Sequence, residues 1–328
     1  MKKTAIMLLA ALGVALGPFA GDAVAAPKKK PATIKKHAKA KPKAAKPLVK
    51  AKAKAKAKAR SGKRSHHAAL VEDDSSLSVQ SASALVIDQS TGAVVYEKNA
   101  STVAPIASIT KLMTAMVALD AKPNLQEVLT VSEEDVDMLK GTRSRLKVGT
   151  QLSREEMLRL ALMSSENRAA SALSRHYPGG RVAFVAAMNQ KAQSLGLNDT
   201  RFEDPTGLTS ANVSSAKDLA RMVDAAYRYP LIREFSTTAE DAVAINGRPQ
   251  MFHNTNSLVK NESWEIGLSK TGYISEAGKC LVMQAWLNSK PTIIVLLDSW
   301  GKLTRVGDAN RIKRWVESAA LTQRPTAG

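Results

Sequence analysis

Hydrophobic spacing divides this chain into regions of different character. Ser83 to Glu97, SALVIDQSTGAVVYE, carries two β-rich runs around Ser90-Thr91-Gly92, which predicts a hairpin. In Ala107 to Asp120, ASITKLMTAMVALD, the positions Ile109, Leu112, Met113, Met116, Val117 and Leu119 cover most of a helical circumference. That pattern predicts a helix inside the fold. Ser132 and Asp135 form a candidate cap, and Ser153-Arg154-Glu155-Glu156 is a capping box that opens an amphipathic helix to about Met163. Ser164-Ser165-Glu166-Asn167 interrupts this pattern, and Arg168 to His176 resumes it. Further helices are expected over Gly179 to Leu195 and over Ser215 to Tyr229, ending before Pro230. Ala242 to Ile266 is mixed, with short strand-like pieces.

Two more β-rich runs, Lys279 to Leu287 and Thr292 to Leu297, follow the segment Leu268 to Tyr273. Thr304 to Leu321 closes the pattern as a helix whose Val306, Ile312, Trp315 and Val316 form an apolar stripe. The expectation is an α/β (α+β) fold: one sheet built from the early hairpin and the late strands, with a mostly helical lobe between them.

The first 76 residues change the picture of where folding starts. Met1 to Ala25 has Lys2 and Lys3, an apolar run from Ala5 to Ala20 and Ala23-Val24-Ala25 as a small-x-small cleavage site, the pattern of a secretory signal. Gly13, Gly17 and Pro18 break that run below spanning length. Residues 26–76 are a Lys/Ala/Pro-rich tract with almost no large apolar side chains. It holds 17 Lys and Arg between Pro27 and Arg64, so the formal charge of +19 leaves only about +1 for everything beyond Arg64. In a cytoplasmic protein such an arm would suit nucleic acid, but export removes that partner and none is expected. Acidic lipid headgroups and anionic cell-envelope polymers are the alternatives, beside a spacer with no partner. The ordered domain is expected over 77–322, followed by a short tail, 323–328.

Candidate chemistry is sparse. Cys280 is the single cysteine, so no intramolecular disulfide can form, and its apolar neighbours Leu281 and Val282 make it a poor nucleophile. The five histidines show no metal-ligand spacing, and neither a metal nor a cofactor is expected. Ser108 and Lys111 share one face of the predicted buried helix. A lysine becomes a base for a serine only when desolvation or a neighbouring cation lowers its pKa. Ser-x-x-Lys occurs five times, from Ser108, Ser144, Ser214, Ser257 and Ser299, and only the first opens a core helix.

Three weak motifs gain meaning from their order: Ser108-Ile109-Thr110-Lys111, Ser165-Glu166-Asn167 and Lys270-Thr271-Gly272, with starts 57 and 105 residues apart. Ser210-Ala211-Asn212 also fits the middle pattern but lies in a loop after Pro205-Thr206-Gly207. Together with the hairpin, PIASITKLMTA, MLRLALMSSENRAASAL, FEDPTGL, SSAKDLA and KTGYISEAGKC, these segments resemble the low-molecular-weight penicillin-binding proteins of the D-alanyl-D-alanine carboxypeptidase and endopeptidase group. The resemblance spans roughly Ser83 to Ala320 and is nearest the periplasmic endopeptidase branch, which shares Ser-Ser-Glu-Asn; many relatives have Gly in place of Glu166.

The resemblance implies a β-lactamase/transpeptidase-like fold, an antiparallel sheet flanked by helices, and a periplasmic hydrolase acting on peptidoglycan peptide stems and cross-links, inhibited by β-lactams. It implies catalytic roles for Ser108 as nucleophile, Lys111 as base, Ser165 as proton relay and Asn167 as holder of Lys111 and the substrate amide. Lys270, Thr271, Gly272 and Tyr273 become substrate-binding residues: Lys270 as the cation that meets an anionic group and lowers the pKa of Lys111, Thr271 through its hydroxyl, Gly272 by admitting the substrate backbone. The N–H groups of Ser108 and Tyr273 become the oxyanion hole. Glu166 is expected at the cleft rim or paired with a cation such as Arg168. Relatives that carry a further β-domain and an amphipathic anchor contrast with this chain, whose last helix leads to the expectation of a soluble enzyme. Trimming of pentapeptide stems and non-catalytic cell-wall binding are the competing functions.

Overall fold

The computed structural model describes residues 77–322, with side chains up to Ala319; the signal-like residues 1–25, the basic tract 26–76 and the tail 323–328 lie outside the described residues. Strands β1 (Ser83–Asp88) and β2 (Val94–Lys98) form the expected hairpin. A two-residue strand β3 (Ala104–Pro105) leads into a 3-10 turn, Ala107–Ile109, and then helix α1 (Thr110–Asp120). Ser108 therefore stands on the turn before the α-helix and not within it. Strands β4 (Val128–Thr130) and β5 (Gln151–Ser153) pair with each other ahead of α2 (Arg154–Met163). The capping box forms as predicted, Ser153 N–H donating to Glu156 Oε2 at 2.7 Å and Glu156 N–H to Ser153 Oγ at 3.1 Å.

Helices α3 (Asn167–Arg175), α4 (Gly180–Ser194), α5 (Ala216–Tyr227, after the short strand β6 at Val213–Ser214) and α6 (Pro230–Thr237) complete the helical lobe. Pro230, expected only to end a helix, opens α6 at its first position, where a missing N–H costs nothing. The mixed region contains a second hairpin, β7 (Glu240–Ile245) and β8 (Arg248–His253), and the late strands are β9 (Glu265–Ile274), β10 (Gly278–Leu287) and β11 (Lys290–Ser299). The main sheet is antiparallel with order β2-β1-β11-β10-β9, so hairpin and late strands join in one sheet and β9 is its edge.

Alternation along the central strands gives the sheet two apolar faces. Leu85, Val282, Val295 and Leu297 join the larger core, shared with α1, α2, α3 and α5. Ala84, Val86, Leu281, Ile294 and Leu296 face the last helix, α7 (Thr304–Thr322), and pack with Ala309 and Ile312. Every residue of α1 from Thr110 to Ala118 is buried, so the helix carrying Lys111 lies in the middle of the molecule. Edge strand β9 and the start of α1 meet here, and that junction is the site.

Candidate active site

The turn that carries Ser108 is strained and tightly fitted. Ala107 has φ +48°, in the left-handed region that a side chain disfavours. Its carbonyl oxygen lies 2.0 Å from where a Cβ on Gly207 would stand, and Gly207 itself has φ +81°. On the other side, a Cβ on Gly272 would come within 2.8 Å of the Ile106 carbonyl and 3.1 Å of the Ser108 nitrogen. Gly272 thus lets β9 close on the Ser108 turn itself.

Lys111 is fully buried, and its Nζ has three oxygen neighbours: Ser108 Oγ at 2.8 Å, Asn167 Oδ1 at 2.7 Å and the Thr206 carbonyl at 2.8 Å. Two of these, an amide oxygen and a carbonyl, can only accept. An ammonium donates to all three; a neutral amine donates to the two obligate acceptors and turns its lone pair to the Ser108 hydroxyl. The cage therefore fits both states, and from the neutral one the Ser108 proton can pass along the Ser108–Lys111 bond to the amine as the serine oxygen attacks. Burial lowers the Lys111 pKa to about 7, against the opposing pull of the Asp204 and Glu166 carboxylates.

The middle motif sits at the break between α2 and α3, where Ser165 has φ +61°. The structure brings Ser165 to Lys270, whose Nζ donates to Ser165 Oγ at 2.9 Å and to the Thr271 carbonyl at 3.0 Å; the expected Ser165 contact with Lys111 is replaced by these. Lys270 is as deeply buried as Lys111, and its pKa falls well below the ordinary value through burial first, then the nearby charges of Lys111 and Arg305. The expectation that Lys270 depresses Lys111 thus needs its emphasis changed: desolvation does that work. Thr271 Oγ1 bonds to Thr255 Oγ1 at 2.6 Å, and the Tyr273 side chain is exposed, with Lys279 Nζ 4.6 Å from its ring centroid.

Glu166 is not on the rim but buried, and it does pair with a cation, which is Arg145 in place of Arg168. Ser144 Oγ donates to it at 2.6 Å and Arg145 Nε at 3.2 Å, while Arg168 donates to the Leu146 carbonyl. Asn212 of the rival middle motif organises the neighbouring loop, accepting from Glu203 and Asp204 N–H and donating to Thr110 Oγ1. The lysines of two other Ser-x-x-Lys pairs are tied to acids elsewhere, Lys217 to Glu97 and Lys260 to Glu240. Cys280 is buried, and burial raises its thiol pKa to about 11.

Sequence reasoning missed the Thr206 carbonyl, since a backbone acceptor has no residue-type signature. The signal that could have pointed to it is a count: a buried amine needs three oxygen neighbours, and the motifs supply two. It also missed Arg305, which reaches back from α7 to the carbonyls of Gly272 and Cys280, both at 3.1 Å, and adds a cation beside Lys270. A cavity of about 360 Å³ is lined by Asn167 and Thr206 together with Val136 to Leu139.

Residues 69–301 match the D-alanyl-D-alanine carboxypeptidase family. The chain is 52% identical over 250 residues to a D-alanyl-D-alanine endopeptidase of Pseudomonas aeruginosa, covering 75% of this chain and 80% of that one. It is 47% identical over 251 residues to a D-alanyl-D-alanine endopeptidase of Escherichia coli, covering 76% and 81%. Its fold is similar to the crystal structure of a Streptomyces DD-transpeptidase, with a TM-score of 0.68 at 28% identity over 74% of this chain and 98% of that one. The order of the three motifs, the cage around Lys111 and these matches agree, and the chain belongs to the D-alanyl-D-alanine carboxypeptidase family of serine peptidases.

Proposed function

We propose that this protein is a serine D,D-peptidase that hydrolyses D-alanyl bonds in peptidoglycan, acting as an endopeptidase on cross-links. The carrying observation is the 2.8 Å bond between Ser108 Oγ and the Nζ of a buried lysine whose pKa lies at about 7. Ser108 attacks the D-alanyl carbonyl carbon as its proton passes to neutral Lys111. The oxygen of the tetrahedral adduct is met by the N–H groups of Ser108 and Tyr273, an assignment supported by the closeness of Gly272 to the Ser108 nitrogen; each such donor is worth about 3 kcal/mol. The C–N bond then breaks, and the proton held by Lys111 goes to the departing amine with Ser165 as relay. That relay requires bound substrate to draw the Ser165 hydroxyl from Lys270 toward Lys111. Water attacks the acyl-Ser108 ester as Lys111 again accepts a proton; the bond between the acyl carbon and Ser108 Oγ then breaks, that proton returns along the 2.8 Å contact to Ser108 Oγ, and the free acid leaves. Lys270 and Thr271 receive the anionic end of the substrate. A β-lactam acylates Ser108 in the same way and stays attached, because its amine remains tethered to the acyl group.

Endopeptidase action is supported by the names of the relatives at 52% and 47% identity; trimming of pentapeptide stems is supported by the family description. Incubation with a labelled penicillin followed by digestion places the adduct on Ser108; an adduct on Ser144, Ser214, Ser257 or Ser299, or none, refutes the assignment. Faster cleavage of dimeric muropeptides than of pentapeptide monomers is the expected outcome for the endopeptidase reading. Among the described residues no helix is long and apolar enough to cross a membrane. The signal-like residues 1–25 support a periplasmic location. The basic tract 26–76 supports attachment to anionic envelope polymers or lipid headgroups, checked by deleting it and measuring sedimentation with cell envelopes.

A further inference from the structure

Asn167 turns its two amide atoms to different neighbours. Oδ1 accepts from Lys111 Nζ at 2.7 Å, and Nδ2 donates to Thr142 Oγ1 at 3.0 Å. The second contact is polarised from farther out. Thr142 Oγ1 donates to Asp137 Oδ2 at 2.7 Å, the same oxygen takes the Thr142 N–H at 2.9 Å, and Asp137 Oδ1 takes the N–H groups of Leu139 and Lys140 at 2.8 and 2.9 Å. Burial opposes charge on Asp137, but the bonds from the Thr142 hydroxyl and from these backbone N–H groups outweigh it and hold the carboxyl below its ordinary value. Asp137 is therefore ionised at neutral pH and can only accept. The Thr142 proton is committed to it, so the hydroxyl offers only lone pairs toward Asn167. Only the NH₂ end of an amide can meet a lone pair. The loop itself is held at several points, by Ser144 and Arg145 on Glu166 and by Lys140 on Glu276 at 2.5 Å.

We propose that Thr142, oriented by Asp137, is a positioning residue that fixes which end of the Asn167 amide faces the amine of Lys111. The inference rests on the reading of Ser108 as nucleophile and Lys111 as base. With the amide oxygen inward, a neutral Lys111 gives both N–H groups to Asn167 Oδ1 and the Thr206 carbonyl, and its lone pair is left for Ser108. With the amide reversed, Asn167 N–H would donate into that lone pair and Ser108 would lose its base.

The test is the acylation rate of the purified protein by a fluorescent penicillin, followed across pH for the parent, Thr142→Val and Thr142→Ser. The charged groups that act on Lys111, namely Asp204, Glu166, Lys270 and beyond it Arg305, are retained in all three. Thr142→Val is expected to lower the high-pH plateau by about tenfold or more, the scale of a misplaced catalytic group. Thr142→Ser restores it. The acid limb, set by Lys111 at about 7, moves to lower pH in Thr142→Val, because a donor aimed at the amine favours its neutral form. A limb displaced instead toward the ordinary lysine value of 10.5 would mean that water has entered and Thr142 only packs, which overturns the proposal. An unchanged plateau overturns it too. Asp137→Asn checks the same point if Thr142→Val does not fold: it frees the Thr142 hydroxyl to turn, with a smaller fall expected and an unchanged profile counting against us. Failure of the parent itself to acylate at Ser108 would refute the nucleophile reading, a result seen without any substitution.

Discussion

Two lysines are both fully buried and close enough for the charge of one to act on the other, and their surroundings differ in kind. Lys111 has three oxygen neighbours and feels two carboxylates, those of Asp204 and Glu166, which offset part of the cost of its burial. Lys270 has two oxygen neighbours and feels only the cations Lys111 and Arg305. The same residue type is thus set to two tasks by its environment. Lys111 is balanced near neutrality and suits a group that must gain and lose a proton in every turnover. Lys270 is short of negative partners, and a substrate carboxylate or a β-lactam carboxylate would supply the missing one.

The largest expected effect comes from removing each amine in turn. Lys111→Met should lower the rate of acylation by about a thousandfold, within the range lost when a general base is deleted. Lys270→Met should act mainly on the concentration dependence, raising KM more than it lowers kcat, because it removes a binding charge. Acylation kinetics over a range of penicillin concentrations separate the two, and equal effects on both parameters would erase the distinction. In the parent the rate should climb as pH rises through about 7, since only neutral Lys111 can accept the Ser108 proton.

A second contrast concerns protons taken up on binding. Burial and the charges of Lys111 and Arg305 lower the Lys270 pKa, and an anion bound beside it acts in the opposite direction, so binding shifts Lys270 toward proton uptake. Calorimetry of a Ser108→Ala protein with an anionic D-alanyl peptide in two buffers of different ionisation enthalpy should show net uptake of up to about one proton, absent in the Lys270→Met background. Uptake that survives that substitution would move the titrating group to Lys111.

Much of the frame that holds these lysines is legible in the sequence. The β1–β2 hairpin, the Ser153–Glu156 box and the paired strands β10 and β11 follow from local spacing, and the burial of α1 follows from its apolar circumference. The second hairpin was not read, although Asn246-Gly247, whose φ values are +51° and +74°, is a turn signal of the type that joins tight hairpins. What could not be read is the direction of side chains at breaks. Ser165 in the left-handed region aims at Lys270 rather than Lys111 because α2 and α3 part there, and no local pattern states the angle. Likewise Glu166 chooses Arg145 over the nearer Arg168 because the loop between β4 and β5 folds over α3, a tertiary contact between residues 21 apart.

The same asymmetry has a smaller expression in stability. A lysine whose folded pKa is lowered binds fewer protons in the folded than in the unfolded state, so stability rises with pH between the folded value and the ordinary 10.5. From about pH 7 to about pH 8.5 Lys111 adds at most about 1.4 kcal/mol per pH unit, and Lys270, whose pKa is also lowered, acts in the same direction. Above that window the Cys280 thiol, raised to about 11, acts in the opposite sense, so the comparison belongs below its ordinary value of 9.0. Urea midpoints of the parent, Lys111→Met and Lys270→Met across this range should show shallower slopes in both variants. A slope unaffected by either would mean that the amines are solvated and the two environments alike.

The smallest effect is expected at Glu166, which belongs to the Lys111 side of the contrast alone. Its carboxylate is one of two that favour the charged form of Lys111, so Glu166→Gln should move the acid limb of acylation to slightly lower pH, in the same direction as Thr142→Val but without the fall in plateau. The amide can still accept from Ser144, and Arg145 keeps its bond to the Met251 carbonyl at 3.1 Å and its place over the Phe252 ring at 4.0 Å. Because Arg145 is partly exposed, loss of the ion pair should cost only about 1 kcal/mol of stability, read from urea midpoints. A limb that moved upward would show that the loop over Asn167 had opened to water, and Glu166 would then act on Lys111 through structure rather than through its charge.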